Sequence, residues 1–138
     1  MRAQVGALCY RYDNGKLRVL LVKTKRKGHW VVPKGWAEDG LTPAQSASKE
    51  AYEEAGVEGH ARDCCVGFYT YDKDLGTGKT VPCMVAVFPL LAQTCHTTFP
   101  ESGLREHIWC SRNKAAELVA SPVLGNLIKT FDPTGLDD

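Results

Sequence analysis

Hydrophobic and polar positions along the chain form short apolar runs separated by turn residues, which predicts several strands and few helices. Residues 17–23 are almost continuously apolar, so this strand is expected to be buried on both faces of a sheet. Glycine-containing segments at 13–15 and 72–79 predict the turns between consecutive strands. The predicted strands are 3–12, 17–23, 30–32, 61–71, 80–91 and 106–110.

The segment with the most regular helical pattern covers residues 42–55. Thr42 suits the N-cap, Pro43 suits the first helical position, and Gln45 completes a capping box. Gly56 stands where a helix commonly ends in the left-handed conformation. One face of this helix carries small side chains that allow close packing against a sheet. That face consists of Ala44, Ala47, Ala51 and Ala55.

Two shorter helices are predicted at 113–120 and 123–131, followed by a frayed tail at 132–138. The chain contains no repeat, linker or low-complexity segment, so residues 1–138 are predicted to form a single domain. Strands mixed with few helices favour an α+β or a layered α/β/α arrangement.

Composition narrows the class of protein. A chain of 138 residues, 43% of them hydrophobic, can bury a core without disulfides or a structural metal. Seventeen Lys and Arg nearly balance sixteen Asp and Glu, whereas a dedicated duplex-DNA-binding module is usually far more basic. No apolar run approaches the roughly 20 residues that cross a bilayer, and the apolar stretch at 5–10 is too short for a secretory signal. We therefore expect a cytoplasmic protein whose partners include neither membranes nor duplex nucleic acid.

The six cysteines show no C-x-x-C spacing. We interpret them as reduced structural thiols of a cytosolic protein rather than as a metal or redox site. Four of them stand among apolar residues, where free cysteine acts as a small hydrophobic side chain. These four are Cys9, Cys65, Cys83 and Cys110.

Three carboxylates share one face at the end of the predicted long helix. Glu50, Glu53 and Glu54 stand at i, i+3 and i+4, where the helix dipole and mutual repulsion each cost roughly a few tenths of a kcal/mol. Two interpretations account for this cluster. Either it is a solvated polar face, or it binds a divalent cation such as Mg²⁺ or Mn²⁺, which takes carboxylate oxygens.

Together with its surroundings this segment resembles the Nudix box, G-x5-E-x7-R-E-U-x-E-E-x-G-U, in which U is aliphatic. Residues 35–57 bring a loop glycine, a glutamate trio and a helix-ending glycine into register with that pattern. The matching positions are Gly35, Glu50, Ala51, Glu53, Glu54, Gly56 and Val57. The resemblance extends over nearly the whole chain. It implies a Nudix-type α/β/α sandwich with a mixed sheet and a loop-helix-loop catalytic motif.

The resemblance also implies an activity, the hydrolysis of a diphosphate that is linked to another group. In a Nudix hydrolase, Glu50 and Glu54 would ligate Mg²⁺ or Mn²⁺ together with a main-chain carbonyl of Lys34 or Gly35. Glu53 would position or deprotonate the attacking water, with or without contact to a second metal. The glutamate trio is therefore the predicted catalytic and metal-binding set.

Two positions depart from the family pattern. Leu41 stands where the family has its first glutamate, and Lys49 stands where an arginine braces a metal-binding glutamate. Lysine supplies the charge but not the planar two-pronged contact of arginine. We therefore expect Glu50 to be held less rigidly, with Lys49 and Gly56 as the residues that support the box.

Basic residues near the box are the main indication of the substrate. The cluster that follows strand 17–23 either surrounds a highly phosphorylated ligand or forms an ordinary solvated turn. It consists of Lys23, Lys25, Arg26 and Lys27. Lys34, immediately before the box glycine, and Arg105, near the last strand, are further candidates for substrate contacts.

Residues 7–36 and 105–119 resemble the diphosphoinositol polyphosphate phosphohydrolase branch of the family, which also includes diadenosine polyphosphate hydrolases. Trp36 departs from the glycine-rich loop of the animal members, and it either narrows the pocket, stacks on a base or packs at the rim. The sequence thus predicts a metal-dependent pyrophosphohydrolase acting on a polyphosphorylated small molecule. The alternatives are a nucleotide sensor that does not hydrolyse its ligand, and a hydrolase of other nucleoside polyphosphates or of RNA 5′ ends.

Overall fold

The computed structural model describes residues 1–136. Its strands are β1 (Arg2–Asp13), β2 (Lys16–Lys23), β3 (Trp30–Val31), β4 (Lys34–Trp36), β5 (Val57–Glu58), β6 (Gly67–Asp74), β7 (Thr80–Leu91), β8 (Thr94–Cys95) and β9 (His107–Cys110). Its helices are α1 (Pro43–Ala55), α2 (Arg112–Leu118) and α3 (Pro122–Lys129).

Within residues 1–136, seven strands form one mixed sheet in which β3, β2, β1, β7 and β6 lie side by side. Strand β4 also pairs with β1, and β9 pairs with β2. Strand β1 runs parallel to β7, while β2, β4 and β6 pair with their neighbours in antiparallel fashion. The central strand β1 therefore supports the short strand β4 directly.

Alternation along β1 divides the core between the two faces of the sheet. Leu8 and Tyr10 belong to one cluster, which α2 and α3 cover, whereas Ala7 and Cys9 belong to the other, which α1 covers. Successive side chains of a strand point to opposite faces, so one strand contributes to both layers. The predicted α/β/α sandwich with a mixed sheet is confirmed.

Helix α1 lies close to the sheet because its contact face is made of small side chains. That face consists of the predicted Ala44, Ala47, Ala51 and Ala55, all of which are buried. Glu50 and Glu54 lie at the edge of this face, with Glu54 itself buried, and Glu53 lies further round the helix. The packing of the alanines thus fixes which way the carboxylates point.

The strand predicted at 61–71 begins later and ends later, as β6 (Gly67–Asp74). Ala61 makes only an isolated bridge with Leu90, and residues 62–65, two of which are cysteines, are all exposed and do not pair in the sheet. The turn predicted at 72–79 is correspondingly shorter. Strands β4, β5 and β8 were not predicted, since two or three residues carry no periodic pattern and pair only because the fold brings them together.

Three smaller expectations can be compared with the structure. All six cysteines are free, but Cys65 is exposed rather than buried. Residues 132–136 of the predicted tail form a turn in which Asp132 accepts a hydrogen bond from the Thr134 amide, and Leu136 packs against the core. Residues 137 and 138 lie outside the described part of the chain.

Within residues 1–136, no helix is long and apolar enough to span a bilayer.

Candidate active site

Both ends of α1 are fixed by the contacts that the sequence predicted. Thr42 Oγ1 accepts a hydrogen bond from the Gln45 amide at 3.1 Å, and Gln45 Oε1 accepts one from the Thr42 amide at 2.9 Å. Gly56 ends the helix with φ of 71°. A Cβ atom at this position would lie 2.4 Å from Phe99 Cδ1, so only glycine fits. The helix therefore holds its last turn in one place.

Glu50 and Glu54 form a hydrogen-bonded carboxyl pair on that part of the helix. Glu54 is only 6% exposed. Burial, reinforced by the hydrogen bond with Glu50, raises the pKa of Glu54 to about 8, although Arg105 opposes the shift. Burial also raises the pKa of Glu50. Without a cation, the two carboxyl groups therefore hold a proton between them near neutral pH.

Arg105 is the buried partner of this pair. Its Nη1 lies 3.2 Å from Glu54 Oε1, and its Nη2 binds Glu101 Oε1. The Arg105 side chain is 14% exposed. Arg105 was predicted to contact substrate, but the structure directs both of its terminal nitrogens towards carboxylates. Its charge therefore acts first on Glu54.

Gly35 makes room for Glu50. A Cβ atom built on Gly35 would lie 2.3 Å from Glu50 Oε1 and 2.4 Å from its Cδ. Gly35 is held in that position by strand pairing with Val5 of β1. The backbone of β4 at Gly35 therefore lies directly against the Glu50 carboxyl group, and a main-chain carbonyl as metal ligand stays a prediction.

Lys49 contacts a residue that the sequence did not single out. Its Nζ lies 2.7 Å from Glu38 Oε2 and 2.9 Å from Glu38 Oε1. The Glu38 amide also donates to Ser46 Oγ at 3.0 Å, which ties the loop before α1 to the helix. Leu41, which takes the place of the family's first glutamate, is 39% exposed. Lys49 thus pairs with Glu38 of this loop rather than with Glu50.

Two cavities flank this cluster. The larger has a volume of about 520 Å³ and is lined by Thr24, Lys25, Arg26, Lys27, His29, Trp30, Val31, Lys34, Tyr69, Tyr71, Asp72, Lys73, Asp74, Arg105, Ala120, Ser121 and Leu124. The smaller has a volume of about 460 Å³ and is lined by Gln4, Lys34, Gly35, Trp36, Glu38, Lys49, Glu50, Glu53 and Lys73. Lys34 and Lys73 line both, so the basic and acidic parts of the site adjoin each other.

The structure separates the predicted basic residues into two groups. Lys25, Arg26 and Lys34 line the larger cavity, and Lys34 Nζ lies 4.3 Å from the ring centre of Tyr71. Burial lowers the pKa of Lys34. Lys23 lines neither cavity; its Nζ binds Glu106 at 3.0 Å and lies over the ring of Trp30. Lys23 therefore lies outside both cavities, and its predicted contact with substrate stays a prediction.

Sequence reasoning missed Glu38 and Lys73. Glu38 lies in a loop that also contains Asp39, and nothing in the pattern distinguishes the two acids. Lys73 was assigned to a turn, but β6 extends to Asp74 and brings its side chain beside Lys34. The continuation of strand alternation past Tyr71 is the signal that would have placed it.

The acids fit a magnesium-type cation. Within residues 1–136, no group of three or more His, Cys, Asp or Glu side chains is arranged to hold a metal ion by itself. Mg²⁺ does not require one, because it keeps several waters and binds through one or two carboxylates together with substrate phosphates. Glu50 and Glu54, with the β4 backbone beside them, supply hard oxygen donors of that kind. Glu53 stands beside them on the wall of the smaller cavity.

Fold and site together define a layered α/β domain that presents an acidic helix face beside a basic cavity, the arrangement expected of a protein that binds a metal–phosphate ligand. A NUDIX domain model matches residues 2–131, nearly the whole chain. The chain belongs to the Nudix family.

Individual relatives agree with this assignment. The chain is 31% identical over 137 residues to Nudix hydrolase 21, chloroplastic, of Arabidopsis thaliana, covering 94% of this chain and 66% of that protein. It is 33% identical over 58 residues to diphosphoinositol polyphosphate phosphohydrolase 2 of Rattus norvegicus, covering 42% of this chain and 32% of that protein. The chain therefore spans less than two thirds of the length of these curated relatives.

Among solved structures, a C. elegans Ap4A hydrolase binary complex superposes with a TM-score of 0.70 over 100% of both chains. The two sequences are 22% identical, so this likeness concerns the fold. It confirms the arrangement of sheet and helices described above.

Proposed function

We propose that the protein is a metal-dependent pyrophosphohydrolase that cleaves a diphosphate linkage in a polyphosphorylated small molecule. The observation that carries this proposal is the hydrogen-bonded pair of Glu50 and Glu54, packed against Gly35 beside a cavity lined by basic residues. Such a pair exchanges its shared proton for a cation, and the neighbouring lysines attract the phosphates that the cation also binds.

Each residue has a distinct task in this proposal. Glu50 and Glu54 would hold Mg²⁺ or Mn²⁺, which neutralises phosphate oxygens and lowers the pKa of a bound water. Glu53, on the wall of the smaller cavity, would orient the attacking water and accept its proton. Lys34, which lines both cavities, would hold a phosphate oxygen between them.

Family membership supports the choice of reaction and the polyphosphate class of substrate. The relatives include proteins named Nudix hydrolase and diphosphoinositol polyphosphate phosphohydrolase, and a structural neighbour is described as an Ap4A hydrolase. The last two of these names denote ligands that carry several phosphates. Six basic residues line the larger cavity, which suits a polyphosphate better than a single diphosphate.

A substrate panel tests the proposal. The protein is incubated with Mg²⁺ or Mn²⁺ and with diadenosine polyphosphates, diphosphoinositols, nucleoside triphosphates, ADP-ribose and a 5′-triphosphorylated oligonucleotide, and released phosphate and nucleotide are measured. We expect metal-dependent hydrolysis that Glu53→Gln lowers by about 10²- to 10⁴-fold. The matched control is Glu117→Gln, an exposed helical glutamate of α2. Full turnover by Glu53→Gln would contradict the assigned role.

The same panel decides between the hydrolase and the alternatives from the sequence. Thermal stabilisation by a nucleotide with no product under either metal would favour a sensor, and product from the oligonucleotide alone would favour RNA 5′ ends. The sensor hypothesis rests on Leu41 and Lys49.

The cytoplasmic location stays a prediction. The curated names of several relatives carry the words chloroplastic or mitochondrial, which describe those proteins. Microscopy of the fluorescently tagged protein in its own cells would test the location.

A further inference from the structure

Two of the exposed cysteines are neighbours in the chain. Cys64 and Cys65 are both exposed, whereas Cys9, Cys83 and Cys110 are buried and act as small hydrophobic side chains of the core. Packing therefore explains the buried cysteines but does not explain the adjacent pair. Neither cysteine of the pair lines one of the two cavities, so the pair also has no part in the site described above.

The adjacent cysteines lie in a bulge that precedes β6. Ala61 bridges to Leu90, and Gly67 pairs with Val87. Six steps from 61 to 67 therefore face three steps from 90 to 87, so the cysteine side of the ladder carries three extra residues. The chain bends within this bulge, and residues 62–65 are all exposed. The bulge thus holds both cysteines at the surface.

Both ends of the bulge are fixed to β7. The Arg62 amide donates to the Pro89 carbonyl at 2.9 Å, and the Val66 amide donates to the Val87 carbonyl at 2.8 Å. Residues 63–65, between these two anchors, do not pair in the sheet. A change of backbone conformation that is confined to residues 63–65 therefore leaves the pairing of β6 with β7 intact.

A disulfide between consecutive residues is strained and hence easily reduced. The Cα atoms of neighbours are about 3.8 Å apart across a trans peptide, whereas bridged cysteines usually have Cα atoms about 4.4 to 6.8 Å apart. Strained and exposed disulfides belong to the labile class, which forms and breaks with the redox state of the surrounding thiols. The unpaired residues 63–65 can absorb the backbone change that the ring requires. The bulge therefore suits a reversible bond rather than a structural one.

We propose that Cys64 and Cys65 form a reversible dithiol–disulfide site whose reaction partner is a small disulfide such as glutathione disulfide. One cysteine thiolate attacks a sulfur of glutathione disulfide, and the first glutathione leaves as a thiolate that takes up a proton. The neighbouring thiolate then attacks the cysteine sulfur of the mixed disulfide, and the second glutathione leaves in the same way. Two protein thiols are oxidised, and one glutathione disulfide is reduced to two glutathione molecules.

Little holds the thiols in their reduced arrangement. Cys65 Sγ donates to the Gly67 carbonyl at 3.2 Å, and a thiol is a weak donor. Formation of the ring releases this carbonyl at the surface, where water can replace the thiol. Oxidation should therefore leave the fold intact.

The experiment uses the Cys95→Ser variant, which removes the third exposed cysteine and leaves two. The folded, EDTA-treated protein is incubated with excess glutathione disulfide, and its accessible thiols and intact mass are measured. We expect the accessible thiols to fall from two to none, with the loss of two hydrogen atoms and no bound glutathione. Peptide mapping should locate the bond between residues 64 and 65. Excess reduced glutathione should restore both thiols.

Two matched variants separate the two chemical steps. Cys64→Ser and Cys65→Ser, each combined with Cys95→Ser, keep one thiol of the pair. Each should stop after the first step and retain one glutathionyl group, because no neighbouring thiol releases it. Thermal unfolding midpoints of the reduced and oxidised forms show whether the thiols counted belong to the folded chain.

Glutathione retained by the chain that keeps both Cys64 and Cys65 would overturn the proposal, because the neighbouring thiol would have failed to displace it. Unchanged thiols, disulfides that link two chains, or a bond that excess reduced glutathione leaves intact would also overturn it. Neither metal nor phosphorylated substrate is present, so the outcome is independent of the proposed hydrolase activity.

Discussion

The ammonium nitrogen of Lys49 lies between the two carboxyl oxygens of Glu38, at 2.7 Å and 2.9 Å. Hydrogen bonding to Glu38 raises the pKa of Lys49, and Glu53 and Glu50 attract the same ammonium more weakly. The loop residue therefore draws Lys49 away from the acids that would bind the metal.

Glu38→Gln should consequently weaken metal activation. Released from Glu38, Lys49 is expected to move towards Glu50 and Glu53 and to compete with the cation for their oxygens. We expect the Mg²⁺ concentration for half-maximal activity to rise about threefold, a modest change because both partners are exposed. The double variant Glu38→Gln/Lys49→Met should return it to the wild-type value. A double variant as impaired as the single one would show that the loop itself, not the lysine, is responsible.

The stability of the metal-free protein should fall as pH rises. The pKa of Glu54 is raised from an ordinary value of 4.5 to about 8 in the folded state. Between these values the unfolded chain loses the proton while the folded chain keeps it, so the unfolding free energy decreases with pH. With EDTA present, we expect a loss on the order of a few kcal/mol from pH 5 to pH 8.

Chemical denaturation at several pH values, with Glu54→Gln as the comparison, measures this loss. The variant cannot ionise, so its stability should vary less over the same range. Mg²⁺ should stabilise the wild type more at pH 8 than at pH 5, because the cation replaces the proton. Identical pH profiles for wild type and variant would contradict the shift at Glu54.

Arg105→Ala should weaken the binding of the metal rather than the binding of the substrate. Removing one member of a buried ion pair destabilises a protein by about 3 kcal/mol, and Glu54 would then hold its proton more firmly. We expect the Mg²⁺ requirement to rise while the KM at saturating Mg²⁺ changes little, with partial rescue by Arg105→Lys. Arg62→Ala, at an exposed arginine, is the control. A rise in KM at saturating metal would instead support a direct substrate contact.

Gly35→Ala should displace the Glu50 carboxyl group, because the new methyl carbon would lie 2.3 Å from Oε1. We expect at least about a hundredfold loss of turnover, since a displacement of about 1 Å is enough for that. Gly40→Ala serves as comparison: its Cβ meets no atom, but φ of 85° costs about 1 kcal/mol of stability. Mg²⁺ titration by calorimetry measures the displacement of Glu50 in Gly35→Ala through weaker metal binding, and thermal unfolding measures the loss of stability in Gly40→Ala. Normal turnover by Gly35→Ala would contradict the proposed crowding.

Local signals in the sequence were enough to predict α1 and its caps, because each depends on residues within one or two turns of the helix. The register of the glutamate trio with the family pattern likewise predicted that the three acids lie together on the last turns of this helix, where the structure has them. The contact between Arg105 and Glu54 joins residues 51 positions apart and depends on how β9 approaches α1, which no local pattern encodes. Which of the two loop acids contacts Lys49, Glu38 or Asp39, likewise depends on the path of the loop.

The bounds of strand β6 could not be predicted from the local sequence. Its residues alternate only from Gly67 onwards, yet the apolar content of the preceding segment favoured an earlier start. Lys73 was therefore read as a turn residue, and one side of the larger cavity was missed.

Strand β4 is only three residues long, but it pairs with the central strand of the sheet, and the Pro33 carbonyl just before it accepts a hydrogen bond from the Ala7 amide at 3.0 Å. Opening of Lys34–Trp36 would break the pairing with the buried residues 4–6 of β1, so we expect these residues to separate from the sheet only when the domain unfolds as a whole. The surface that would face the phosphates in the proposed function is therefore rigid, and any adjustment to ligands of different length would fall to segment 24–29, most of which is exposed.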